Sequence, residues 1–153
     1  MATVKNIYAT KATITCTLTS LANASLREAT VIDNTTNAYL DMLLRVRTKG
    51  QASGTSVLEV WAYAALGDTN YTGIASGTDA AYTGFLSNCV FVGAVTLNAA
   101  TTAVTWQKAV AWAFGGVLPD KIGFIFKNSS GAALSATAGD HVIEYEGITN
   151  SVA

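Results

Sequence analysis

Tyr39-Leu-Asp-Met-Leu-Leu-Arg-Val-Arg-Thr48 alternates with a period of two: Leu40, Met42, Leu44 and Val46 fall on one side, and Asp41, Leu43, Arg45 and Arg47 on the other. A strand turns successive side chains to opposite faces, so this stretch predicts a half-buried β-strand with a defined core face. Toward the start, Ala12-Thr-Ile-Thr-Cys-Thr-Leu18 repeats the pattern, with Ala12, Ile14, Cys16 and Leu18 opposite Thr13, Thr15 and Thr17. Residues 27–33 read as a further strand, and Asn34-Thr-Thr-Asn37 supplies turn chemistry before Tyr39. Residues 20–28 have room for a short turn and nothing longer.

Toward the end, Val57-Leu-Glu-Val-Trp-Ala-Tyr63 is β-branched and aromatic, the composition that suits a pleated, half-buried surface. Residues 88–97, 104–114, 121–127 and 141–148 complete a count of about eight strands, separated by Gly, Asn and Ser. Pro119 sits in the connection Gly115-Gly-Val-Leu-Pro-Asp120, outside any strand interior. No crossover helices are legible, so a parallel sheet is excluded. The expected class is all-β, an antiparallel β-sandwich of the jelly-roll type. No repeat or linker divides the chain, which reads as one domain over residues 1–153 with residues 1–10 available as an extended N-terminal arm.

Residues 67–87 fit no regular element: Gly67, Gly73, Gly77 and Gly84 are interspersed with Asp, Thr, Asn and Tyr. Long loops in compact domains tend to carry function, and Asp68, Asn70, Tyr71, Asp79 and Tyr82 are the candidate contact residues. The competing reading is an ordered filler loop.

Composition narrows the function. AVILMFWYC residues make up 50% of the chain and DEKR residues 12%, so surface polarity falls to Thr, Ser, Asn and Gly, and part of the apolar surface is available for burial against other chains. A tightly packed monomer is the alternative. Nine Lys plus Arg against ten Asp plus Glu give a net charge of −1, with no basic stripe to neutralise phosphates, so no nucleic-acid partner is expected. The apolar stretch 89–118 is interrupted by polar residues, and the start of the chain lacks the apolar region of a signal peptide, so no membrane association is expected. Cys16 and Cys89 lie far apart in apparent strands and read as small buried hydrophobes, with a disulfide between them as the lesser alternative.

Acid-base, nucleophilic and metal-assisted mechanisms need clustered titratable or ligand residues. The only histidine is His141, and with two separated cysteines no zinc pattern can be written. Glu144 and Glu146 share a strand face roughly 7 Å apart, a glycosidase-like separation, but such pairs are common on solvent faces. Asp140 beside them would support only a weak calcium site. Neither a P-loop nor a dinucleotide fingerprint occurs, so no cofactor is expected. Trp61, Tyr63, Trp106 and Trp112 suit core packing, with a stacking platform for sugar rings as the sharper alternative.

Several stretches together carry a resemblance: Leu44-Arg-Val-Arg-Thr-Lys49, Val57-Leu-Glu-Val-Trp-Ala-Tyr-Ala64, Gly77-Thr-Asp-Ala-Ala81, Leu118-Pro-Asp-Lys-Ile-Gly-Phe124, Lys127-Asn-Ser-Ser-Gly-Ala-Ala-Leu134 and Glu144-Tyr-Glu-Gly147. This set resembles the small jelly-roll virion proteins of tailed bacteriophages over about two-thirds of the chain, through turn and strand patterns without an invariant chemical motif. The resemblance implies a non-enzymatic subunit made in the bacterial cytoplasm and carried in the virion: a capsid decoration or cement protein, a head fibre base, or a minor tail or neck component. Its implied partners are itself, as a homotrimer or ring, and other virion proteins such as the major capsid protein. A carbohydrate-binding module, with Tyr71 and Tyr82 stacking on a glycan, is the alternative that jelly-roll sandwiches also allow.

Overall fold

The computed structural model describes residues 4–50, 56–97 and 102–152, and in them the alternation becomes two antiparallel sheets packed face to face. The strands are β1 (Val4–Tyr8), β2 (Ala12–Thr13), β3 (Leu26–Glu28), β4 (Ile32–Asp33), β5 (Asp41–Thr48), β6 (Ser56–Ala65), β7 (Ala80–Ala81), β8 (Val90–Leu97), β9 (Val104–Ala109), β10 (Lys121–Ser129) and β11 (Val142–Val152). The first sheet runs β1-β11-β5-β9, with β2 also on β11; the second runs β7-β3-β10-β6-β8, with β4 also on β10. Apart from β3 to β4 and β6 to β8, which stay in one sheet, the connections from β2 onward pass between the two sheets of the sandwich.

The core is what the period of two demands. Met42, Leu44 and Val46 of β5 and Ile143 of β11 face Leu58, Val60 and Ala62 of β6, Phe124 and Phe126 of β10, and Val92, Val95 and Leu97 of β8. Each fully buried Leu, Val or Phe removes apolar surface worth about 1.5–3 kcal/mol from water. Between Val60 and Trp61 the β6–β8 register shifts, so Trp61 lies opposite Phe91 while Val92 is an extra residue that also buries. The Lys108 ammonium of β9 donates to the Val92 carbonyl at 2.9 Å and ties the two neighbouring sheet edges together.

Four expectations need correction. Leu40 is 43% exposed and precedes β5, because the Asp41 carboxylate accepts the amides of Met42, Val110 and Ala111 and fixes the strand start there. Residues 12–18 do not form one strand: only Ala12–Thr13 pair as β2, after which the segment bridges the sheets, Ile14 donating to Ile143 and Thr15 accepting from Thr30. Ile14 and Leu18 still reach the core. Residues 27–33 split into β3 and β4 because Thr30 and Val31 turn to Thr15 and Gly77. Residues 104–114 are a strand only to Ala109; a 3-10 turn, Ala111–Phe114, follows and ends on Gly115 at φ 80°, a left-handed cap that glycine adopts without strain. Of the expected arm, residues 1–3 lie outside the described residues, and Val4–Tyr8 pair in register with the end of β11.

Candidate functional site

The residues between β6 and β8 fold back over the outer face of the second sheet and build a small second core. Tyr63, Tyr82 and Ile125 are buried there, flanked by Leu26, Trp61, Tyr71, Ala75, Leu86 and Cys89. Gly123 makes this possible, because a Cβ at that position would collide with the Tyr63 ring lying across β10. The Tyr71 ring meets Tyr63 edge-on at 5.8 Å between centroids.

Glu28 anchors the layer. Its side chain is buried on β3, and its Oε1 accepts from the Tyr63 hydroxyl at 2.5 Å and the Gly77 amide at 2.5 Å. Its Oε2 accepts from both the Ser76 amide and hydroxyl at 2.9 Å. A buried carboxyl group needs hydrogen-bond partners, and here the donors come from β6 and from the covering segment. Burial, followed by the Glu28 carboxylate, pushes the Tyr63 phenol up, so it stays a donor.

The candidate contact residues sit at different depths in this layer. Asp79 pairs with Arg27 at 2.5 Å and accepts from the Thr17 amide and hydroxyl at 2.9 and 2.6 Å. Burial pushes the Asp79 carboxyl up, but hydrogen bonds from Arg27 and Thr17 prevail and hold it below the usual range. Tyr82 is 5% exposed, and its hydroxyl donates to the Gly73 carbonyl at 2.6 Å, so its ring faces inward. Asp68 is exposed and closes a local turn onto the Asn70 amide at 2.9 Å and side chain at 2.7 Å. Tyr71 is half-buried against Tyr63. The structure therefore joins Asp79, Tyr71 and Tyr82 in one packed layer and leaves Asp68 and Asn70 at its rim.

Several other titratable groups are also engaged. Glu144 lies between Lys11, at 2.8 Å, and Arg45, and hydrogen bonds from Lys11 first, with Arg45 next, hold its carboxyl below the usual range. A general acid needs the opposite shift. Glu146 shares the outer face of β11 with Glu144, as the spacing required. His141 Nε2 donates to the Ser135 carbonyl at 2.9 Å, and its Nδ1 lies within hydrogen-bond distance, 2.8 Å, of the Thr48 hydroxyl. Cys16 and Cys89 are free thiols, and burial pushes both up, away from the reactive thiolate. Among the described residues, no group of three or more His, Cys, Asp or Glu is placed to hold a metal ion, and no helix is long and apolar enough to cross a membrane.

Open chemistry lies elsewhere. On the uncovered half of the second sheet, Trp61 and Phe91 meet edge to face at 5.1 Å beside Glu59. The Glu59 carboxylate accepts from Trp61 Nε1 at 3.0 Å, Lys127 at 3.0 Å and Ser129 at 2.7 Å. Phe91 is 45% exposed. At the far end of the first sheet, every residue of β1 is exposed. Sequence reasoning passed over Glu28 and the Glu59 network because each is assembled across strands distant in the chain. Among protein families, curated proteins and solved structures, none matches this chain.

Proposed function

We propose that the chain is a non-enzymatic structural protein of a tailed-phage virion, of the capsid decoration or cement kind, that stabilises a particle through contacts spread over its surface. The observation that supports this reading is where its apolar surface is left open. Val4, Ile7 and Tyr8 on β1, Val90 and Phe91 on β8, and Ile74 and Phe85 on the covering segment are exposed along strand edges and crests. Two of the concave sites formed by the described residues are small, a cleft of about 80 Å³ beside Glu144 and one of about 180 Å³ between β2 and β4, against roughly 300–1,000 Å³ for ligand pockets. The phage assignment itself comes from the sequence resemblance.

Many copies on a lattice bind by avidity, so no single residue has to carry much affinity. The test is co-sedimentation of the purified protein with phage particles stripped of their accessory proteins. Saturable rebinding that raises the temperature at which particles release their DNA is the expected result. A protein that stays in the supernatant at every ratio overturns the assignment.

The Trp61–Phe91 pair favours a second reading, glycan binding, at a place other than the residue 67–87 segment. A half-exposed aromatic next to a carboxylate and a lysine offers a stacking surface with polar groups at its edge. Glycan-array binding lost in both Trp61→Ala and Phe91→Ala would support it; binding lost only in Tyr71→Ala would not.

A further inference from the structure

We propose that the outer edge of β1 pairs with itself: it adds antiparallel to β1 of a second copy of this chain, about a two-fold axis at Asn6. This deepens the structural-subunit reading, and rests on it, by naming one partner and one contact.

Pairing of β11 with β5 ends at Ile148 opposite Asp41, whereas pairing of β11 with β1 continues to Val152 opposite Val4. The last residues of β11 and β1 thus form a two-stranded ribbon beyond the sandwich, an arrangement marginal in water by itself. Val4, Ile7 and Tyr8 are 62%, 48% and 55% exposed, so the ribbon presents apolar side chains on both faces.

The hydrogen-bond phase fixes which backbone groups are open. Ala9 donates to the Gly147 carbonyl at 2.8 Å, which by the alternation of an antiparallel ladder turns Ile7 and Lys5 toward β11. The amides and carbonyls of Val4, Asn6 and Tyr8 then point away, and among the described residues none bonds to them. At the edges of the second sheet, the β8 edge is bulged and its Val92 carbonyl is taken by Lys108, and β7 has only 2 residues.

The sequence of β1 complements itself in this register. Centring on Asn6 pairs Val4 with Tyr8 of the second copy, and the three outward-pointing residues of each strand all become hydrogen-bonded pairs. Val4 beside Tyr8 is a β-branched–aromatic pair, which favours strand association. Lys5 falls opposite Ile7, so the two lysines never face one another and the lysine stem covers the isoleucine. A two-fold contact of this kind is closed, and joins the first sheets of two copies into one. One strand pair buries less than the roughly 1,000 Å² of a stable free-standing interface, so association in solution depends on concentration.

The test is light scattering over a concentration series. The wild-type mass is expected to rise from 15.9 kDa toward twice that value. Asn6→Pro removes an outward amide without touching the β11 ladder, and should weaken association at least tenfold. Asn6→Lys and Asn6→Glu each place like charges across the axis and should be monomeric alone, yet pair when mixed. A wild-type protein that stays monomeric throughout leaves this edge to a foreign strand and overturns the proposal, as does failure of the Lys and Glu variants to pair. Rebinding to stripped particles is scored separately, so intact rebinding by Asn6→Pro together with unchanged self-association discards this inference alone.

Discussion

The segment between β6 and β8 and the ribbon of β1 with the end of β11 invert what their sequences suggest. The first is glycine-rich and irregular, yet its polar groups are used internally, on Glu28, Asp79 and the Gly73 carbonyl. The second is a regular strand pair, yet it leaves one face of its backbone and most of its apolar side chains in water. Regularity of backbone is a poor guide to availability; what counts is whether donors and acceptors have partners within the same chain.

The sharpest way to break this contrast is Glu28→Ala. It strips the acceptor from four donors, and at about 1 kcal/mol for each hydrogen bond the loss is expected on the order of 3–4 kcal/mol in a urea titration. The same variant should become sensitive to limited proteolysis within residues 67–87. Stability equal to wild type would mean that the layer is held by its apolar contacts alone.

Gly123→Ala probes the layer from beneath. Its added methyl meets the Tyr63 ring, and overpacking of this kind costs about 1–3 kcal/mol. Tyr82→Phe removes only the hydroxyl bonded to Gly73, with an expected loss of about 1 kcal/mol by the same titration.

Asp79 gives a pH test. Its folded-state carboxyl is held low, so the stability it contributes is present above the ordinary carboxylate value of about 4 and is lost as pH falls below it through the folded-state value. Asp79→Asn should therefore flatten the acid limb of a plot of urea midpoint against pH, and an unchanged limb would assign acid sensitivity to other carboxylates. The smallest effect belongs to the ribbon: Ile7→Ser should alter monomer stability by less than about 0.5 kcal/mol, because its side chain is half in water.

How much was legible follows from the range of the interactions involved. Strand β5 was readable because alternation is local, with Met42, Leu44 and Val46 buried as their spacing requires, and β6, β8, β10 and β11 because β-branched and aromatic runs stand between Gly, Asn and Ser. The strand over residues 12–18 was overextended because the same alternation also suits a segment that passes from one sheet to the other, where Ile14 and Leu18 bury without a continuous ladder. Asp41 and Gly115 shortened the expected strand at 104–114 through contacts that no local pattern records. For the candidate site, Asp79, Tyr71 and Tyr82 were found on the correct segment, but their inward engagement depends on Glu28 and Arg27, about fifty residues earlier in the chain. The lone strand-edge arm was visible as a stretch of sequence, and its pairing with β11 was not.

The positions of β10 and β11 bear on how the molecule is made. Each lies inside its sheet, β10 between β3 and β6 and β11 between β1 and β5, although both come from the last third of the chain. Neither sheet can close until these strands have left the ribosome: β3 with β7, β6 with β8 and β5 with β9 can pair earlier, but β1, β2 and β4 have no partner strand while synthesis proceeds at about 5–20 residues per second. Non-local closure of this kind puts folding in the millisecond-to-second range and makes the interval before β10 appears the period of greatest exposure to aggregation.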